Sequence, residues 1–136
     1  MQYRTWVFNP KSRLVPETAR KRIDEWAKTQ TEILKKKLIP KNPPKKYNYV
    51  ADVYSEWVGG RFYLCAKYNC PGPNTLSPNF IHKFARLECI GNKYLGFDHY
   101  NLFAMRHTGK WIPIEFNVSL KTCLKTMENN GWFAIG

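Results

Sequence analysis

A chain of 136 residues with 43% hydrophobic and 15% aromatic side chains has enough apolar material for one packed core, which excludes wholesale disorder and points to a single domain. No apolar run approaches the roughly 20 residues of a bilayer-spanning helix, and residues 1–8 lack the apolar stretch of a secretion signal, so the expected compartment is the cytoplasm, with no membrane partner. The formal net charge of +12 at pH 7 is uneven: residues 1–50 hold 13 Lys+Arg against 4 Asp+Glu, residues 51–136 hold 9 against 6, and a surface so charged concentrates polyanions.

Residues 1–15 mix rings and cations in Tyr3, Arg4, Trp6, Phe8, Lys11 and Arg13. The alternation over residues 3–8 reads either as an edge strand or as a docking arm, and Pro10 ends it. Pro16 at the first helical position, followed by Glu17, opens a helix that runs to about residue 38 and is closed by Pro40. Ala19, Ile23, Trp26, Ala27, Ile33, Leu34 and Leu38 recur at three-and-four spacing and predict its buried face, which Gln30 interrupts. Among its charges, Arg20–Asp24, Asp24–Lys28 and Glu32–Lys36 are spaced to pair along the helix. Lys21, Lys28 and Lys35, seven apart, line up as a basic stripe. Lys35, Lys36 and Lys37 also suit the negative end of the helix dipole. Pro40, Pro43 and Pro44, interleaved with Lys41, Lys45 and Lys46, predict an extended connector.

From Tyr47 the hydrophobic period changes to two. Strands are expected over residues 47–57 and 61–68, joined by a tight turn at Gly59-Gly60 in which both glycines can take positive φ. Residues 69–79 read as a loop by their Pro, Gly, Asn and Ser content. Further strands are expected over 80–90, 99–107 and 110–116, with a glycine turn at His107-Thr108-Gly109-Lys110 and with Pro113 marking an edge or bulge. Ser119 is placed to cap a helix over 120–129, buried through Leu120, Cys123, Leu124 and Met127, and Asn130-Gly131 suits its end. Trp132, Phe133 and Ile135 then return to the core. The fold class is α+β: an N-terminal amphipathic helix, an antiparallel meander of about five strands and a short C-terminal helix, with the helices on one sheet face. The chain divides into a basic arm, helix and connector over 1–46 and a sheet with its helix over 47–136, within one compact domain overall.

Four cysteines, Cys65, Cys70, Cys89 and Cys123, show no CxxC pair. In a reducing compartment they read as thiols used as small apolar side chains, ahead of a zinc site from Cys65, Cys70, His82 and Cys89 or a disulfide such as Cys65–Cys70. Phosphate-cradling, zinc-protease and serine-hydrolase motifs are all missing, so no cofactor, metal or catalytic residue is assigned. The densest run of functional side chains surrounds the second glycine turn, where Arg106, His107, Lys110 and Trp111 suit a phosphate or a base. The loop Tyr68-Asn69-Cys70-Pro71-Gly72-Pro73-Asn74 is the second candidate, with Tyr68, Asn69, Cys70 and Asn74 as its polar members. In the third strand, simple alternation puts His82, Arg86 and Glu88 on one side and Lys83 on the other, with Arg86–Glu88 as an ion pair.

The motifs Phe62-Tyr63-Leu64-Cys65-Ala66-Lys67-Tyr68-Asn69-Cys70-Pro71-Gly72-Pro73-Asn74, Lys83-Phe84-Ala85-Arg86-Leu87-Glu88 and Met105-Arg106-His107-Thr108-Gly109-Lys110-Trp111 occur in order. Together with Ser119-Leu120-Lys121-Thr122-Cys123-Leu124, they make residues 45–133 resemble a family of small bacterial proteins carried as a domain of unknown function. The resemblance implies a bacterial, cytoplasmic protein and supplies no activity.

Charge and composition favour a nucleic-acid-binding or ribonucleoprotein-associated module whose contacts are Lys21, Lys28, Lys35, Lys36, Lys37, Lys45, Lys46, Arg106, His107, Lys110 and Trp111. Tyr54, Tyr63 or Trp111 are the rings available for stacking, and the partner is the backbone of RNA or DNA. The alternative is an accessory subunit docking on an acidic protein. A small enzyme using Cys70 or His107 ranks third.

Overall fold

The computed structural model describes residues 15–73, 75–92, 96–129 and 133. The strand-or-arm reading of residues 3–8, Asn74, the Asn130-Gly131 cap and the expected core positions Trp132 and Ile135 lie outside the described residues. Pro16 has an extended ψ of 143° and stands as the N-cap, so the helix begins one residue later than expected, and the Pro16 carbonyl accepts the Arg20 N–H at 2.9 Å. The helix α1 then spans Glu17–Leu38.

Its fully buried residues are Ile23, Ala27 and Thr31, with Trp26, Leu34 and Leu38 packed at the flanks. Ile33, expected inside, is 53% exposed. The buried arc is rolled toward Thr31, whose hydroxyl donates to the Lys28 carbonyl at 3.1 Å and so enters the core already satisfied. The intrahelical ion pairs expected from spacing give way to contacts with the sheet. Asp24 accepts the Trp57 indole N–H at 2.8 Å, Arg20 lies 4.4 Å over the Trp57 ring, and Lys35 reaches Asp52 at 3.5 Å as well as Glu32 at 3.6 Å.

Five strands follow, β1 Tyr49–Val58, β2 Arg61–Asn69, β3 Asn79–Asn92, β4 Gly96–Met105 and β5 Trp111–Ser119, then the helix α2 Leu120–Asn129. The strands pair antiparallel in chain order, so the sheet is a meander built from hairpins. Both helices lie on one face, α1 against β1 and α2 against β4 and β5. Between them and the sheet sit Ile23, Phe62, Leu64, Leu87, Tyr100, Leu102 and Cys123, each at most 4% exposed. Glu128 joins the two helices, accepting from Trp26 Nε1 at 2.8 Å and from Gln30 Nε2 at 3.2 Å. Ser119 caps α2 as expected, its Oγ accepting the Thr122 N–H at 3.2 Å. Among the described residues no helix is long and apolar enough to cross a membrane.

Two irregularities change which side chains share a face. A register shift between Val50 and Asp52 sends both Val50 and Val53 into the core, where strict alternation would have separated them. A second shift leaves Phe84 as the extra residue of β3, since Leu64 faces Ala85 while Cys65 faces Lys83. Phe84 and Ala85 are both buried in consequence. Lys83 therefore stands on the same face as Arg86 and Glu88, which corrects the assignment that alternation alone makes.

The Gly59-Gly60 turn also departs from expectation, because only Gly59 takes positive φ (61°), the pattern of a II′ turn. The β4–β5 turn is closed by Gly109 N–H to the Arg106 carbonyl and Arg106 N–H to the Lys110 carbonyl, both at 2.9 Å. Gly109 has φ +83° with nothing within 4 Å of a Cβ built there. Replacement by alanine therefore meets backbone strain and no clash. Gly109→Ala is expected to lower the unfolding free energy by about 1 kcal/mol in a urea titration, and Gly109→Asn by less.

Candidate functional site

In β2, Phe62, Leu64 and Ala66 point to the helices, so Arg61, Tyr63, Cys65 and Lys67 point to the opposite face. Register carries that face across the sheet. Tyr54 of β1 and Lys83 of β3 flank Cys65, while Glu56 and Arg86 flank Tyr63, and Arg86 is followed by Phe103 of β4. At the end of β4 and β5, Met105 faces Trp111 beside the Gly109 turn. A groove of about 580 Å³ results, lined by Tyr54, Glu56, Tyr63, Ile81, His82, Lys83, Met105, Arg106, His107, Gly109 and Trp111.

Tyr63, 8% exposed, forms part of its floor. The Lys83 ammonium lies 4.4 Å over the Tyr63 ring and 3.3 Å from Glu56, in a pair that is about two-fifths exposed on both sides. Trp111 stands with its ring 5.9 Å from Tyr63 at 49°. Beside the floor, the Arg86 guanidinium is packed between Phe103 at 4.3 Å and Trp111 at 5.0 Å. Its Nε lies 3.1 Å from Glu88 Oε2, as the Arg86–Glu88 expectation required, and Arg61 Nε approaches the same oxygen at 3.3 Å. Two guanidinium groups thus share one buried carboxylate, which leaves this part of the face net positive.

The Cys65 thiol and the Tyr54 hydroxyl at the groove are held toward their neutral forms. Burial pushes the Cys65 thiol up to about 11, with Glu56 adding to the shift and Lys83 opposing it. Tyr54, hydrogen-bonded to Cys65, is also raised, chiefly by burial. On the helix side, burial pushes Cys123 up to about 12. All four cysteines are thiols. His82 is held below the usual imidazole range by burial. Among the described residues no three His, Cys, Asp or Glu side chains converge as a metal site would need.

The structure distributes the remaining sequence candidates over three places. Arg106, His107 and Trp111 meet in the groove, with Lys110 exposed on the same turn. Lys21, Lys28, Lys36 and Lys37 are exposed on α1, on the other side of the sheet from the groove, Lys45 and Lys46 are exposed on the connector, and Lys35 is half-buried in its pairs with Glu32 and Asp52. The basic stripe and the aromatic turn are thus two surfaces and not one. In the third place, the β2–β3 loop, polar groups serve the loop itself. Tyr68 stacks on Phe80 at 4.9 Å and 6°, and Asn69 donates to the Tyr49 hydroxyl at 3.2 Å. Cys70 is buried, with its N–H on the Pro78 carbonyl at 2.8 Å and its carbonyl accepting from Thr75 Oγ1 at 3.3 Å.

Sequence reasoning missed Lys83, placing it on the wrong face, and missed Arg61 as the second partner of Glu88. The adjacent apolar pair Phe84-Ala85 inside an alternating strand was the available sign of the bulge. A family model described as a domain of unknown function, DUF3024, matches residues 15–134. Comparison with curated proteins and with solved structures gave no match.

Proposed function

We propose that this chain, which belongs to the DUF3024 family, binds nucleic acid through the groove on the sheet face opposite α1 and α2. The observation that carries the reading is one groove bringing Tyr54, Tyr63 and Trp111 together with Lys83, Arg106 and His107. Rings beside cations are the equipment of a nucleic-acid site, with phosphates drawn by charge and bases by stacking. The Lys83–Glu56 pair suits exchange. A half-exposed ion pair is worth at most about 1 kcal/mol, so a phosphate can take the place of Glu56 on the ammonium at small cost. The basic stripe on α1 then adds attraction from a second side.

Salt dependence tests the reading. Fluorescence anisotropy with a labelled RNA or DNA oligonucleotide is expected to show affinity falling linearly on a log–log plot against salt. Lys83→Ala and Arg106→Ala are each expected to flatten the slope by about 0.7–0.9. No binding at low salt overturns it. For α1 alone a second reading has its own support, because Ile33 stands exposed among lysines, with Lys36 and Lys37 three and four positions on. That mixture fits an acidic protein surface with an apolar contact. We place the protein in a bacterial cytoplasm, supported by the motif resemblance and by four thiols, which fit a reducing compartment.

A further inference from the structure

We infer that the strand held in this groove is unpaired, with a base stacked on Trp111. The inference rests on the nucleic-acid reading above and names the form of nucleic acid selected. In a duplex both faces of every base but those at its ends are covered by neighbours, so along its length a duplex presents phosphates, sugars and base edges but no free ring face. Cations alone serve such a ligand. Here the lining includes three aromatic rings; Tyr63, 8% exposed beneath the Lys83 ammonium, serves as floor, which leaves the half-buried rings of Tyr54 and Trp111 to meet a base. Only a strand whose bases can turn inward uses rings set in the walls of a groove; a duplex reaches the cations Lys83 and Arg106 from outside.

Size and rigidity agree. About 580 Å³ falls in the range of small-ligand clefts, roughly 300–1,000 Å³, which suits one or two nucleotides. Trp111 is held in place before any ligand arrives. Its ring packs on Arg86, which Glu88 anchors at 3.1 Å and Phe103 backs at 4.3 Å. A wall fixed in this way loses little side-chain entropy on binding. Tyr54, bonded through its hydroxyl to Cys65, is similarly fixed on the far side of the groove.

The test compares one labelled oligonucleotide sequence as a single strand and annealed to its complement, by anisotropy at fixed salt. Wild-type protein is expected to bind the single strand about tenfold more tightly or better, the scale of one stacked base. Trp111→Ala is expected to lose about tenfold for the single strand and to leave duplex affinity within about twofold, whereas Trp111→Phe retains most of the preference. Thermal unfolding accompanies each variant. If Trp111→Ala does not fold, Tyr54→Leu takes its place, with loss for the single strand and none for the duplex expected. Equal affinity of the wild-type protein for both forms, or a variant that weakens both alike, overturns the inference while the nucleic-acid reading stands. Wild-type protein that binds neither form overturns that reading and the inference with it.

Discussion

Glu88→Gln is expected to destabilise the protein by about 2–3 kcal/mol, measured by urea unfolding followed through tryptophan fluorescence. The Glu88 side chain is 7% exposed and its Oε2 serves both Arg61 and Arg86. The amide keeps the shape and removes the charge, so Arg86, itself 15% exposed, is left as a cation without a counter-charge in a poorly solvated place. Arg61 is more open and recovers part of its loss in water, which sets the value below the upper end for buried pairs. Glu56→Gln, breaking the half-exposed pair with Lys83, is the control, with a change within about 1 kcal/mol. A cost for Glu88→Gln as small as the control's would mean that water solvates Arg86 where the structure packs it between two rings.

Phe62→Ala is expected to cost about 3–5 kcal/mol in the same titration, the usual range for emptying a buried phenylalanine site. Phe62 is 1% exposed and its ring lies 5.0 Å from that of Trp57. Trp57 is also where α1 is fastened, through Asp24 on its indole N–H and Arg20 over its ring. The cavity therefore opens beneath the attachment of the helix, and amide exchange should quicken most across α1 and β1. Phe116→Ala, at a ring 60% exposed, should change stability by no more than about 0.5 kcal/mol. A similar cost at both positions would contradict the division into a helix-covered core and an outer face.

The order and type of every described element were legible because each carries a local signal. Pro16 and Pro40 bracket α1, the glycine turns separate the hairpins, and Ser119 caps α2 where its side chain can reach Thr122. What stayed hidden were events between strands. A bulge adds one residue on one strand only, so its effect on facing appears in the partner's register. Lys83 was misassigned for that reason, and with it the composition of the groove. Arg61 and Glu88 meet across β2 and β3 although 27 positions separate them, a pairing that helical or strand spacing does not encode. Tyr54, Tyr63 and Trp111 were recognisable as rings suited to stacking, while their meeting in one groove depended on the register of several strands. The charge stripe misled in a different way. Lysines seven apart do share a helix face, but Lys35 turns to Asp52 on β1, an acid that the helix alone does not reveal.

The hairpin order of the sheet bears on how the chain reaches this structure. Each strand pairs with its neighbour in sequence, α1 packs on β1 and α2 on β4 and β5, so nearly every step closes only a short loop and gives up little chain entropy. The bonds from Trp26 and Gln30 to Glu128 are of another kind, spanning 102 and 98 positions. They gain most when the meander has already brought the two helices to one face. By loop-closure entropy alone, the bridge from α1 to α2 at Glu128 is among the costliest contacts to form before the hairpins are in place.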